Sequence, residues 1–100
     1  MRIISRSTLQ AFSKSRAARR DAKAPIDAWF KQAHEATWQS PADVKASFGT
    51  ASILLDGRVV FNIAGNKYRL IVWINYAYSV VYVRFIGTHK EYDAIDAQTI

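Results

Sequence analysis

The stretch Asn66–Asn75, read as N-K-Y-R-L-I-V-W-I-N, alternates in a way that leaves little room for anything but a β-strand. Successive side chains of an extended chain point to opposite faces. Tyr68, Leu70, Val72 and Ile74 therefore share one side, and Lys67, Arg69, Ile71, Trp73 and Asn75 share the other. The first set is an apolar face fit for a core. The second begins with two cations beside large apolar groups. A half-buried strand of this kind needs neighbours that extend both faces, and the flanking sequence supplies them.

Before it, Val59, Phe61 and Ile63 point one way and Arg58, Val60 and Asn62 the other, with Asp56-Gly57 as the preceding turn and Ala64-Gly65-Asn66 as the next. After it, Asn75–Tyr78 turns the chain again. The alternation then predicts Val81, Val83 and Phe85 facing the core and Tyr82, Arg84 and Ile86 facing outward, up to a stop at Gly87. With a two-residue loop at Tyr76-Ala77, Arg69 lies directly opposite Arg84. Like charges across a strand pair destabilise it. An anion between them, phosphate above all, resolves that conflict.

The first half of the chain has a different period. Arg2–Ser5 (R-I-I-S) reads as a short strand that joins the sheet beside the last long strand. Ser7 and Gln10 form a capping-box pattern, and Leu9 and Phe12 share a helical face. Asp21 is placed to cap the next helix, with Pro25 in its first turn. Ile26, Trp29, Phe30 and Ala33 follow at amphipathic helical spacing, and the helix is expected to end near Thr37. Ser40-Pro41-Ala42-Asp43 starts a short helix with Val44 and Phe48 on one side, closed by Gly49. Thr88–Glu91, T-x-x-E, is a further capping box that opens a terminal helix carrying Tyr92 and Ile95. Helices grouped early and strands late define an α+β fold: a mostly antiparallel four-stranded sheet, N-terminal helices on one face and a short C-terminal helix.

One hundred residues, half of them hydrophobic, are expected to make a single domain over 1–100 with one core. The absence of cysteine removes disulfides and thiolate metal sites and fits a cytoplasmic location. No apolar run approaches the ~20 residues of a membrane helix, and no signal-like run follows Arg2, so neither a membrane partner nor a secretory leader is expected. The formal net charge is +6, and seven of the fourteen Lys and Arg residues lie at or before Lys23. That balance favours polyanionic partners, although it also suits a solvated basic surface. The run Lys14–Lys23 reads either as a solvated helix end or as a basic connection between helices.

The outward face of the meander gathers Arg58, Asn62, Lys67, Arg69 and Arg84, with Trp73 among them. It runs into Gly87-Thr88-His89-Lys90-Glu91-Tyr92-Asp93. His89 and Tyr92 are three apart and share a helical face, with Lys90 and Asp93 on the neighbouring one. Taken alone, His89 is a surface histidine near a helix start. Beside a cationic strand face it is a candidate proton carrier, since its ordinary pKa suits transfer near neutrality. RNA cleavage without a metal needs little more: a base for the 2′-hydroxyl, cations for the phosphate charge, and an acid for the leaving 5′-oxygen. His89, Arg69, Arg84, Lys67 and Tyr92 are the candidate catalytic set. Arg58, Asn62, Lys90 and Trp73 are candidates for holding RNA. Metal chemistry is disfavoured, because His34 and His89 are the only histidines and no carboxylate cluster accompanies them. No cofactor is expected, and His34, on the helix with Trp29 and Phe30, reads as structural.

Several strings in order carry a resemblance: M-R-I-I-S at the start, D-A-W-F at 27–30, W-x-x-P-A-D-V-K over Trp38–Lys45, R-V-V-F-N-I at 58–63, G-N-K-Y-R-L at 65–70, N-Y-A-Y at 75–78 and R-F-I-G-T-H-K-E-Y-D at 84–93. The chain resembles the HigB-type toxins of bacterial type II toxin–antitoxin pairs, related to the RelE-like messenger-RNA interferases. The resemblance implies a compact α+β toxin that enters the ribosomal A site and cuts mRNA there, stopping translation. It also implies a HigA-like helix-turn-helix antitoxin as partner, with operator DNA reached only through that antitoxin. Many RelE-like members rely on Lys, Arg and Tyr without a histidine. The competing reading is a non-catalytic RNA- or ribosome-binding module, motivated by the charge and by Trp73, Tyr76 and Tyr78. Direct DNA binding is the weakest reading, since no two-helix pattern with a recognition helix is visible.

Overall fold

The computed structural model describes all 100 residues. In chain order the elements are β1 (Arg2–Ile4), α1 (Arg6–Lys14), a 3-10 helix (Ala17–Ala22), α2 (Lys23–Glu35), α3 (Pro41–Ser47), β2 (Ser52–Ile53), β3 (Arg58–Ile63), β4 (Tyr68–Asn75), β5 (Val80–Thr88) and α4 (His89–Asp93). They form one sheet in the order β1-β5-β4-β3-β2. β1 runs parallel to β5, and every other pair is antiparallel. The class is α+β, as the grouping of helices before strands implies. The sheet has a fifth strand, β2, a two-residue edge strand too short to show alternation.

The apolar side of the meander is dry. Val59, Phe61 and Ile63 of β3, Tyr68, Leu70, Val72 and Ile74 of β4, and Val81 and Val83 of β5 join Leu9, Phe12, Ile26, Trp29, Ala33 and Val44 in one cluster. The helical spacings at Leu9/Phe12 and Ile26/Trp29/Ala33 are thus spent against the sheet. Phe61 is the hub: its ring lies 5.4 Å from Trp29, 6.3 Å from Trp38 and 5.0 Å from Phe48. Trp38 is fixed further by an Nε1–H that donates to Ser47 Oγ at 3.0 Å, which ties the α2–α3 connection to the end of α3.

Two helix starts differ from the capping pattern. α1 begins at Arg6 behind Ser5, whose φ is 73°, so Ser7 already lies inside the first turn and has no cap to make. Asp21 is not an N-cap either. α2 grows straight out of the 3-10 helix, and the Lys23 N–H is already bonded to the Arg20 carbonyl. With no orphaned donor to satisfy, Asp21 turns to side chains elsewhere. α2 stops at Glu35, short of Thr37, and α4 stops at Asp93, leaving Ile95 outside it.

The turn after β4 also differs, and it changes the sheet. It holds four residues, Tyr76–Ser79, because Asn75 pairs with Val80. The Asn75 side chain accepts from the Tyr78 N–H at 3.2 Å, and Ser79 takes a positive φ of 57°. Further along, Ile71 pairs with Phe85 while Val72 pairs with Val83, so Arg84 is the extra residue of a β-bulge. The bulge reverses the alternation beyond it. Ile86, opposite Leu70, packs on the core, and Phe85, opposite Ile71, takes the outer face. Arg84 does not face Arg69, whose partner is Gly87.

Candidate nucleic-acid interface

The outer face of the sheet is ordered in three cross-strand rows. Arg58, Trp73 and Tyr82 form the first, Val60, Ile71 and Phe85 the second, and Asn62, Arg69 and Gly87 the third. The middle row is apolar and gives the face a firm floor, with Val60 and Ile71 buried. The charged rows flank it. Rows one and three are four residues apart on β4, roughly 13 Å at the usual rise of a strand.

The third row is where the candidates meet. The residue opposite Arg69 has no side chain, and the chain leaves Gly87 to fold back as α4. A Cβ on Gly87 would lie 2.6 Å from the tip of the Phe85 ring and 3.1 Å from Glu91 Cβ, so any larger residue here would push on the Phe85 ring and on the first turn of α4. α4 opens with the expected capping box: Glu91 N–H donates to Thr88 Oγ1 at 3.1 Å, and Thr88 N–H donates to Glu91 Oε1 at 2.9 Å. That carboxyl is held below its ordinary range, first by the Thr88 backbone bond and further by Arg19. The Arg69 guanidinium then lies 5.9 Å from the centre of the Tyr92 ring, and the Tyr92 ring lies 6.5 Å from the His89 imidazole. His89 Nδ1 is 3.1 Å from Asp93 Oδ2, which leaves Nε2 free. Asp93 thus partners His89 one helical turn away.

The remaining candidates are placed differently. Lys67 turns off the face to the Asp21 carboxylate, which also accepts from Tyr68 Oη at 2.6 Å. The Lys67 bond, then the Tyr68 bond, hold Asp21 below its ordinary carboxylate range. The Asp21 bond raises Lys67 in turn, while burial, then Asp21, push the Tyr68 phenol up. Arg58 donates from Nε and Nη2 to the Ile100 carbonyl at 3.2 and 3.0 Å, so the last residues of the chain lie over the first row. Gln98 clasps the backbone of Leu55 from both sides at 2.9 Å. Trp73 is half-buried, 5.2 Å from Tyr82, with its Nε1–H donating to the Asp56 carbonyl at 2.7 Å. It is a fixed shelf at the far end of the face. Asn62 stands beside Arg69, and Lys90 is exposed on α4. Arg84 projects from the bulge, exposed, and takes no part in the four ion pairs. His34 stacks on Phe30 at 5.6 Å, in the helical layer.

Sequence reasoning missed Asp21, Arg19, Asp93 and Glu91 as partners of the site. Only Asp93 and Glu91 carried a local signal, the i,i+4 spacing and the capping box. No three His, Cys, Asp or Glu side chains gather as a metal site. The surface cavities lie between α1, the 3-10 helix and α2, beside α3, and under the C-terminal segment, the last lined in part by Tyr92 and Asp93; none is lined by Asn62, Arg69 or Gly87, so no cavity encloses the third row. No helix is long and apolar enough to cross a membrane.

A sheet with one dry face and one arginine-bearing face, edged by a helix that brings histidine and tyrosine to an arginine, defines a small α+β protein. The chain belongs to the HigB toxin family, the RelE-like toxic component of a toxin–antitoxin system, whose model matches residues 22–95. It is 34% identical over 62 residues to the mRNA interferase toxin HigB of Escherichia coli (strain K12), a stretch covering 60% of each chain. The mRNA interferases HigB of Escherichia coli O157:H7 and Shigella flexneri match to the same extent. The aligned part thus spans 60% of the length of these curated relatives.

Proposed function

We propose that this toxin is an endoribonuclease that cuts mRNA in the ribosomal A site by metal-independent attack of a 2′-hydroxyl, and that a HigA-like helix-turn-helix antitoxin neutralises it. The observation that carries the reading is the run Arg69–Tyr92–His89–Asp93 at one end of the cationic face. With Nδ1 engaged by Asp93, the His89 Nε2 takes the 2′-hydroxyl proton. The 2′-oxygen attacks phosphorus, the bond to the 5′-oxygen breaks, and that oxygen takes a proton from water, to which His89 returns its own. Arg69 and Arg84 stabilise the charge that grows on the phosphate oxygens. Tyr92 stacks on a base, Lys90 and Asn62 contact the backbone, and Arg58 and Trp73 extend the track. Lys67 joins the phosphate only by leaving Asp21.

The openness of the third row supports dependence on the ribosome. An exposed face does not exclude water or bend RNA on its own, and a second surface completes it. Operator DNA is reached through the antitoxin. The action is cytoplasmic.

Mapping transcript 5′ ends after brief expression of the chain alone tests this. New ends at codon spacing, with translation arrested, are the expected result. His89→Ala lowers cleavage by about 10²–10⁴-fold and Arg69→Ala by about 10²–10³-fold. Unchanged ends, with translation still arrested, favour the non-catalytic ribosome-binding module instead.

A further inference from the structure

We propose that the 3-10 helix Ala17–Ala22 is a strap for the site, in which Arg19 and Asp21 are positioning residues, Arg19 for α4 and Asp21 for Lys67. The inference rests on the reading of the third row as the cleavage site.

α4 has five residues, too few to persist as a helix unaided. Its start is held by the Thr88–Glu91 box, and Glu91 Oε1 also takes Arg19 Nη2 at 2.7 Å, from 72 residues earlier in the chain. An exposed ion pair is usually weak, because both side chains must be ordered to make it. Here one is already ordered: the Arg19 side chain is only 14% exposed, and its guanidinium lies 4.5 Å from the Phe12 ring. Two residues on, Asp21 holds Lys67 and is itself fixed by Tyr68, a core residue whose hydroxyl also donates to the Ala18 carbonyl at 3.2 Å. The two ties meet at one corner, because the His89 N–H donates to the Lys67 carbonyl at 3.3 Å. The strap therefore bonds to Lys67, Tyr68 and Glu91. It makes no hydrogen bond to Arg69, Arg84, His89 or Tyr92, and acts on them only through the elements it holds.

The test uses the two histidines as reporters, since His34 sits in the helical layer and His89 on α4. In Arg19→Ala the His89 imidazole signals shift and broaden in nitrogen-detected NMR while those of His34 stay in place. In a translation reaction kcat falls by about ten- to a hundredfold with KM unchanged, the scale of loss expected from misplacing a reacting group. Arg19→Lys restores most of both, and Asp21→Asn moves the Lys67 amide and lowers kcat less. Lys31→Ala, which removes an unrelated charge on α2, leaves all of them as they were. The strap is refuted if folded Arg19→Ala keeps parental His89 signals and kcat. It is equally refuted if the loss comes with matching changes at His34 and no recovery by lysine, the pattern of general destabilisation. Should the parent chain cut no RNA, the cleavage reading fails, while the His89 signals still decide whether the strap orders α4.

Discussion

The two faces of one sheet follow different rules in this protein. On the inner face Phe61, Leu70 and Val72 are buried among aromatic and aliphatic side chains from α1, α2 and α3. On the outer face the same strands carry Arg58, Arg69 and Trp73, held by hydrogen bonds and by cation–π and aromatic contacts, with Asn62 beside Arg69. Inner residues act by area removed from water, so almost any large apolar group at the right phase serves. Outer residues act by direction and partner, so a shift of one position changes the chemistry. The contrast separates stability from function along a single strand, residue by residue.

The sharpest way to break the contrast is to truncate neighbours on β3. Phe61 is 1% exposed and touches three aromatic rings. Phe61→Ala should cost about 3–5 kcal/mol of unfolding free energy, read from urea titration. Asn62→Ala, one residue on and facing outward, should stay within about 0.5 kcal/mol while weakening RNA capture. Equal losses at the two positions would end the claim that the faces have separate roles.

A smaller effect is expected where the outer face depends on a turn. Gly57 has φ +83°, and a Cβ there would lie 2.7 Å from the Ile74 carbonyl and 3.1 Å from Trp73 Nε1. Gly57→Ala should therefore cost about 1–3 kcal/mol and loosen the Trp73 shelf, visible as a change in tryptophan emission. An unchanged midpoint and spectrum would show that the first row does not need this turn.

The inner face was legible because burial imprints a period. Tyr68, Leu70, Val72 and Ile74 announced their side before any partner was known, and so did Ile26, Trp29 and Ala33. The Thr88–Glu91 box was legible because its partners are three residues apart. The outer face was legible only as a list. That Arg84 would be squeezed out as a bulge, and Phe85 and Ile86 exchanged, depends on how β5 pairs with β4 beyond a four-residue turn, which alternation within β5 does not encode. That Lys67 would leave the face depends on Asp21, 46 residues away. That Arg69 would reach Tyr92 depends on where α4 folds back after β5, which the reading of Gly87 as a strand end did not convey.

The smallest expected effect concerns acid, and it tests whether the ties between the 3-10 helix, β4 and α4 have any stabilising role. Asp21 and Glu91 are both held below their ordinary values of 3.8 and 4.5, by Lys67 and Tyr68 in one case and by Thr88, then Arg19, in the other. A carboxyl with a depressed folded-state pKa binds protons more readily when unfolded. Its contribution is complete above the unfolded value and disappears as the pH falls through the folded one. Urea midpoints should thus be level from neutrality to about pH 5 and decline below it. In Asp21→Asn the plateau should start lower and the decline be shallower, since that carboxylate has nothing left to lose. Both groups are largely solvent-exposed, so the plateau difference should be modest and shrink with added salt. If the parent and Asp21→Asn curves coincide at every pH, the Lys67–Asp21–Tyr68 contact contributes nothing to the fold. Packing on the inner face would then hold this corner of the sheet without help from that contact.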